Sequence, residues 1–363
     1  MTEPDWAVTV HDTKSGDYLA RISPTDSSWS TSLAGSGEST ETIVLNDAET
    51  PWTPETVASL FQPHNRMLVR WWGTHGGGHP EDLPILGHKI ESDDYNRDKG
   101  TLTISAIDLI KETNWRLVDG VGADKHSTLT ITNKSPSGAV RAVLARMMQW
   151  GPDWEYPIDL PPDGEGDVSG SWPFWKGYTI AEILKEIQDR TGVEIYLRIY
   201  AREDGGIRFQ TLVGNPITTG SAHFNIDAAE TPLSGVTYTL TGRQQITGLQ
   251  GIGNGTGEDQ ETRASKDTIT IPIRDTKKSF DDLAGEPLQQ ATDTHYRENV
   301  DPTAQWNVGA FTISGDDSPA VVMPGSVLEL EVHGDPRISD GVHVVRSLRV
   351  SGGNGRQVKP EVQ

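Results

Sequence analysis

The sequence predicts an α+β protein, mainly β, in which two small antiparallel β-barrels flank a mixed α/β middle region. Three features lead to this reading. Apolar residues alternate with polar ones in short runs: Leu102, Ile104 and Ala106 against Thr101, Thr103 and Ser105 are one clear case. Chain breakers are frequent, with 38 Gly and 22 Pro among 363 residues, so long helices are disfavoured and tight turns favoured. Helical periodicity with recognisable caps is strongest in the middle of the chain. The expected limits are 1–125 for the first barrel, 126–243 for the middle region and 244–363 for the second barrel.

In the first third, Trp6, Val8 and Val10 share one face of a strand. Further strands are expected at 41–47, 65–73, 84–92 and 100–108, separated by Gly, Pro, Asn and Asp. The first helix of the middle region is capped by Ser135 with Pro136 in its first turn. Its apolar stripe is Val140, Val143, Leu144 and Met147, and Gly151-Pro152 ends it. A Pro-, Gly- and Trp-rich stretch, 151–177, reads as an ordered loop or small insertion. The second helix opens with a capping box from Thr179 to Glu182 and buries Ile180, Ile183, Leu184 and Ile187. A hairpin follows, 193–200 and 207–214, turning through Arg202-Glu203-Asp204-Gly205-Gly206. The last third offers strands at 236–242 and 268–273, a helix near Pro287–Asn299, and strands at 306–314, 326–332 and 343–350.

Charge and composition narrow the function. At roughly 150 residues per domain, 363 residues make two or three domains. With 31 basic against 52 acidic residues the net charge is −21, which excludes a protein that holds nucleic acid by coating its phosphates. The absence of Cys excludes disulfides, thiolate metal sites and cysteine nucleophiles. No apolar run approaches the length of a membrane span, and the acidic start MTEPDW shows no secretory signal.

Four features could carry chemistry. The loop GLQGIGNGTGED, 248–259, has Thr256 where a dinucleotide fingerprint needs its third small residue, and it ends in two acids that repel phosphate. It reads as a mobile or sharply turned connection. His64, His75, His79 and His88 lie close together in sequence, but Gly76, Gly77 and Gly78 prevent the helix that would align His75 with His79. No acid stands at a motif spacing, so a flexible hairpin tip is expected and no metal site. Acidic pairs at Asp93-Asp94, Glu258-Asp259, Asp281-Asp282 and Asp316-Asp317 point to opposite faces of a strand, unlike the facing carboxylates of a glycosidase. Trp150, Trp154, Trp172 and Trp175, with the tandem Trp71-Trp72, suit core packing first, then a protein interface, then sugar rings.

In order along the chain, these segments resemble the tail-tip hub proteins (tail-associated, baseplate hub) of tailed bacteriophages, often minor tail proteins of actinobacteriophages. The resemblance is carried by ETIVLNDAETPWTPETVASLFQPHNRMLVRWWG (41–73), which looks like the family's first tube-forming barrel. TIAEILKEIQDRTGVEIYLRIYAREDGGIRFQTLVGNP (179–216) looks like its helix-plus-hairpin unit. The loop 246–259, the helix after it and MPGSVLELEVHGDPRISDGVHVVRSLRV (323–350) look like its second barrel, with Pro324-Gly325 opening a strand and Asp340-Gly341 turning a hairpin. The resemblance implies a homotrimer whose six barrels form a ring continuing the tail tube. The implied partners are the distal tail protein, the tape measure protein, and spike or fibre proteins, with transient passage of DNA and no membrane anchor. It implies a virion protein made in the host cytoplasm, with no catalytic, cofactor-binding or metal residues, no cofactor and no enzymatic activity. Many relatives continue into fibre-like or wall-cleaving domains, whereas this chain stops at Gln363, so receptor binding and wall cleavage are not expected of it. The alternative is a sugar-binding or polysaccharide-degrading tail protein using the Trp-rich region 150–175, and a third reading is a metal enzyme using the histidines.

Overall fold

Apolar alternation at the start of the chain produces antiparallel strands joined by tight turns. The computed structural model describes residues 3–45, 52–122, 124–266, 272–280, 283–314 and 317–363. Two compact units emerge, Met1–Gly235 with Val308–Gln363, and Val236–Asn307. The molecule is α+β and mainly β.

The larger unit opens with β1 (Asp5–Asp12), β2 (Tyr18–Ile22), β3 (Asp26–Ser32), β4 (Glu38–Val44), helix α1 (Pro54–Leu60), β5 (Arg66–Gly73), β6 (Leu83–Asn96) and β7 (Thr101–Asp108). The middle region adds β8 (Thr128–Lys134), α2 (Pro136–Met148), β9 (Ile158–Asp159), β10 (Val168–Pro173), α3 (Ile180–Thr191), β11 (Glu194–Ala201), β12 (Ile207–Gly214), β13 (Gly220–Asn225) and β14 (Leu233–Ser234). The smaller unit holds β15 (Thr237–Thr241), β16 (Gly248–Ile252), β17 (Thr262–Lys266), β18 (Asp275–Ser279), α4 (Gly285–Asn299) and β19 (Thr303–Asn307). The chain then returns to the larger unit with β20 (Ala310–Thr312), β21 (Ser326–Val332), β22 (Gly341–Gly353) and β23 (Gln357–Val362).

One sheet dominates, in the order β14-β20-β23-β22-β3-β4-β7-β6-β5-β1-β2, with β21 joined to β22 and β13 joined to β21. This corrects the expectation of two separate barrels. Strand β22 pairs antiparallel with β3, Val350 opposite Thr31, so strands from the first and last thirds share one sheet. None of the sheets among the described residues closes on itself. The long β22 manages two partnerships because its register slips between Ser347 and Arg349. Its first half pairs with β21 and its second half with β3 and β23. A bulge of this kind bends a strand and re-aims its edge.

The sheet is covered on both sides near β1 and β5. Val8, Val10, Leu68, Ile90, Leu102 and Ile104 form one apolar layer with Phe61 just beyond α1. Ala7, Met67, Val69 and Trp71, on the opposite face, pack with α2, α3 and the β11–β12 hairpin. Burial on both faces explains why 66–73 reads as an almost continuous apolar run. Close approach also explains Gly87, where a Cβ would lie 2.8 Å from Ile199 and Phe209 side-chain atoms. Both middle helices form as their caps require. Ser135 accepts from the Gly138 N–H, Thr179 and Glu182 form the reciprocal box, and Gly192 closes α3 at φ +70°.

Several polar groups inside this sheet are paired. Arg70, 1% exposed, meets Glu41 at 2.7 Å and lies beside the rings of Trp6 and Trp29. The buried His11 ring sits 3.0 Å from the Gly16 carbonyl through Nδ1 and 2.8 Å from the Thr9 hydroxyl through Nε2. Thr9 in turn accepts from Trp71 Nε1 at 2.6 Å. Between the last third and the hairpin, Arg346 forks onto Glu194 at 2.5 and 2.6 Å.

In the smaller unit, β16 is the central strand of β17-β16-β18, and β15 pairs with β19. Helix α4 buries Leu288, Thr292 and Tyr296. Most of the strand expected at 268–273 lies outside the described residues.

Candidate functional site

The glycine-rich stretch 248–259 is not a free connection. Residues 248–252 are strand β16, paired on both edges. Its glycines admit α4: a Cβ on Gly251 would lie 2.0 Å from Thr292 Oγ1, and one on Gly253 2.5 Å from a Leu288 methyl. Close helix packing, rather than mobility or phosphate binding, accounts for these residues.

The tryptophans are mostly occupied. Trp71 and Trp72 are both buried, and Trp172 is buried with Nε1 donating to Glu186 at 2.7 Å. Arg146 lies 4.3 Å from the Trp150 ring and Arg116 4.4 Å from that of Trp154. A guanidinium thus covers one face of each of these two rings. Trp175 alone of the 150–175 group is largely exposed, at 71%.

The acidic pairs do not assemble either. Asp93 and Asp94 are exposed on β6, and Glu258 and Asp259 are exposed in a single 3-10 turn. Asp281-Asp282 and Asp316 lie outside the described residues.

The four histidines part company. His64 Nδ1 sits 3.0 Å from Lys89 Nζ, and Lys89 is buried against Glu112. Tyr156 donates to the same Glu112 carboxylate at 2.7 Å, and burial pushes its phenol up to about 12. His88 is fully buried between Ser39 and Asp108. His88 serves the core, whereas His64 is exposed and reaches it only through Lys89.

His75 and His79 do come together, in the connection from β5 to β6. Their rings stack at 3.9 Å, 15° from parallel. The intervening Gly76, Gly77 and Gly78 all take positive φ, +85°, +85° and +69°, which L side chains rarely adopt. They are also tightly placed, because Cβ atoms would meet Arg21, Trp71 and Tyr18 at 2.2, 2.8 and 2.5 Å. The expected flexible tip is a packed left-handed turn.

Two acids that stand at no motif spacing complete the cluster. Glu81 brings Oε2 to 3.4 Å from His75 Nε2. Asp82, with its side chain 1% exposed, lies 3.1 Å from His75 Nδ1 and accepts from the Gly77 N–H at 2.7 Å. Burial alone would push the Asp82 carboxyl up. The N–H groups of Gly77 and His75 and the His75 ring outweigh it, so the carboxyl lies below its ordinary range. The available signal was the run His79-Pro80-Glu81-Asp82, which has no standard metal spacing because a turn, not a helix, does the gathering.

No protein-family profile and no curated protein matches this sequence. Solved structures do. The 43 kDa tail protein of prophage MuSo2 from Shewanella oneidensis aligns at a TM-score of 0.58 and 10% identity, covering 99% of this chain and 98% of that one. The fold is that of phage tail proteins. A tail protein from Neisseria meningitidis MC58 aligns at 0.55 and 13% identity over 99% of this chain and 96% of that one. A chain of the Francisella PdpA-VgrG complex aligns at 0.56 and 7% identity, covering 99% of this chain but 58% of the other. Among the described residues no helix is long and apolar enough to cross a membrane.

Proposed function

We propose that this protein is a structural component of a phage tail, the hub of its tip, and not an enzyme. The observation that carries the reading is the tail-protein fold, matched across 99% of this chain and 98% of its Shewanella counterpart. The hub assignment adds the resemblance of segments 41–73, 179–216 and 323–350. In this reading three copies form a ring that continues the tail tube. The ring joins the distal tail protein to spike or fibre proteins, contacts the tape measure protein, and lets DNA through on ejection. The protein is made in the host cytoplasm and resides in the virion.

Electrostatics suits that task. A conduit must pass phosphates without holding them, and each phosphate neutralised by Lys or Arg adds salt-dependent affinity. A chain of net charge −21 offers repulsion on balance. The test is cryo-electron microscopy of tails carrying a tagged copy of the chain. A single ring of three copies at the tip is expected. Repeated rings along the tube, or no tail density at all, would overturn the assignment.

A further inference from the structure

We propose that His75, His79 and Glu81 form a binding site for a divalent transition-metal ion of the zinc class. One donor atom from each lies within 4.8 Å of the others. Two imidazoles and a carboxylate select borderline ions such as Zn²⁺, Co²⁺ or Ni²⁺ over Mg²⁺ and Ca²⁺, which prefer all-oxygen shells.

His75 is already arranged for the task. Asp82, buried and itself held by backbone N–H groups, accepts from Nδ1. That fixes the tautomer and leaves the Nε2 lone pair facing Glu81. A carboxylate behind a ligating histidine is the usual outer-shell device, and it raises the basicity of the ring. His79 must move further. Its Nδ1 accepts from the Glu81 N–H at 3.2 Å, and its ring is stacked on that of His75. Two imidazoles cannot share one ion at about 2.1 Å and stay parallel at this spacing. The ion therefore opens the stack, so that one nitrogen lone pair from each ring points at the same centre. Three protein ligands leave a fourth position, and it opens to solvent because His75 is 40% exposed.

The site has a structural consequence. The turn it would staple is packed against Tyr18 of β2 at Gly78, and Gly78 also meets Gly205 of the β11–β12 turn. An ion held there would lock the β5–β6 connection against both. Binding to the folded chain alone raises its stability by mass action.

The experiment uses the full-length chain without an affinity tag, stripped with chelator, titrated with ZnCl₂ by calorimetry and with CoCl₂ by visible absorption. Wild type is expected to bind one equivalent, to show the absorption of imidazole-ligated cobalt, and to gain thermal stability with zinc. His79→Ala should abolish the signal. Glu81→Gln, an exposed and conservative change, should weaken binding at least tenfold, and Asp82→Asn by about 10- to 100-fold. Circular dichroism on each variant confirms folding. His333→Ala, in the separate group His223, Glu331 and His333, should change nothing. Absence of binding to wild type, or binding that survives His75→Ala together with His79→Ala, would overturn the proposal.

Discussion

Acid should destabilise this protein through one buried ring in particular. His11 is fully buried, and both its nitrogens are committed with a single proton: Nδ1–H donates to Gly16, and Nε2 accepts from Thr9. Burial is the main cause that lowers its pKa to about 4 from 6.5. The Gly16 carbonyl and nearby Asp17 pull the other way, and Arg202 adds to the lowering. In the unfolded chain the ring returns to about 6.5. Between these values the unfolded state binds more protons than the folded one. Stability present above about pH 6.5 is thus lost as pH falls toward 4. The gap from about 4 to 6.5 corresponds to about 3 kcal/mol. The perturbation is His11→Gln, whose amide can donate to Gly16 and accept from Thr9 without titrating. The assay is urea unfolding of both proteins from about pH 7 to pH 4.5. Wild type should lose roughly 2 kcal/mol more than the variant over that span, most of the full gap. Parallel curves would refute the reasoning, since every other titrating group is common to both.

Glu41→Gln should cost about 3–5 kcal/mol, because it leaves the Arg70 charge buried without its counter-ion; chemical denaturation measures it, and a loss below 1 kcal/mol contradicts the reading. Glu194→Gln, which breaks the fork from Arg346, should cost about 1–3 kcal/mol in the same assay. Gly251→Ala should destabilise the smaller unit by about 1–3 kcal/mol through the clash with Thr292, seen as faster hydrogen exchange in β16; unchanged exchange would speak against close packing there. Gel-shift assays with duplex DNA at low salt should show no binding at micromolar protein, and salt-sensitive retention would contradict an acidic conduit.

Local structure was largely legible in the sequence. Helices α2 and α3 start and stop where Ser135, the Thr179–Glu182 box and Gly192 direct them, and β7 buries Leu102, Ile104 and Ala106 as its alternation requires. What escaped was long-range. Strand β3, Asp-Ser-Ser-Trp-Ser-Thr-Ser, has little apolar alternation, yet most of it is buried because β4 and β22 flank it. No local pattern announces that pairing, and so the sequence predicts two barrels where one shared sheet forms. The glycines of 248–253 gave the wrong signal for a related reason. Conformational freedom and close helix approach ask for the same residue, and only α4 distinguishes them. The histidine cluster was obscured by Gly76–Gly78, which exclude a helix but permit the tight turn that brings Glu81 and Asp82 alongside.

The pairing of β22 with β3 also sets a timetable for synthesis. Trp29 Nε1 donates to the carbonyl of Gly353, 324 positions later. At about 5–20 residues per second, the ribosome needs roughly 16 to 65 s to deliver that partner. For that interval one edge of β3 waits unpaired in the nascent chain, a template for pairing with other nascent copies. Contacts this distant also slow folding, because the loop they close must be ordered first. A cell making many copies at once has reason to keep them apart until residue 353 emerges, and shortage of a holding chaperone should appear first as aggregation of this protein's N-terminal strands.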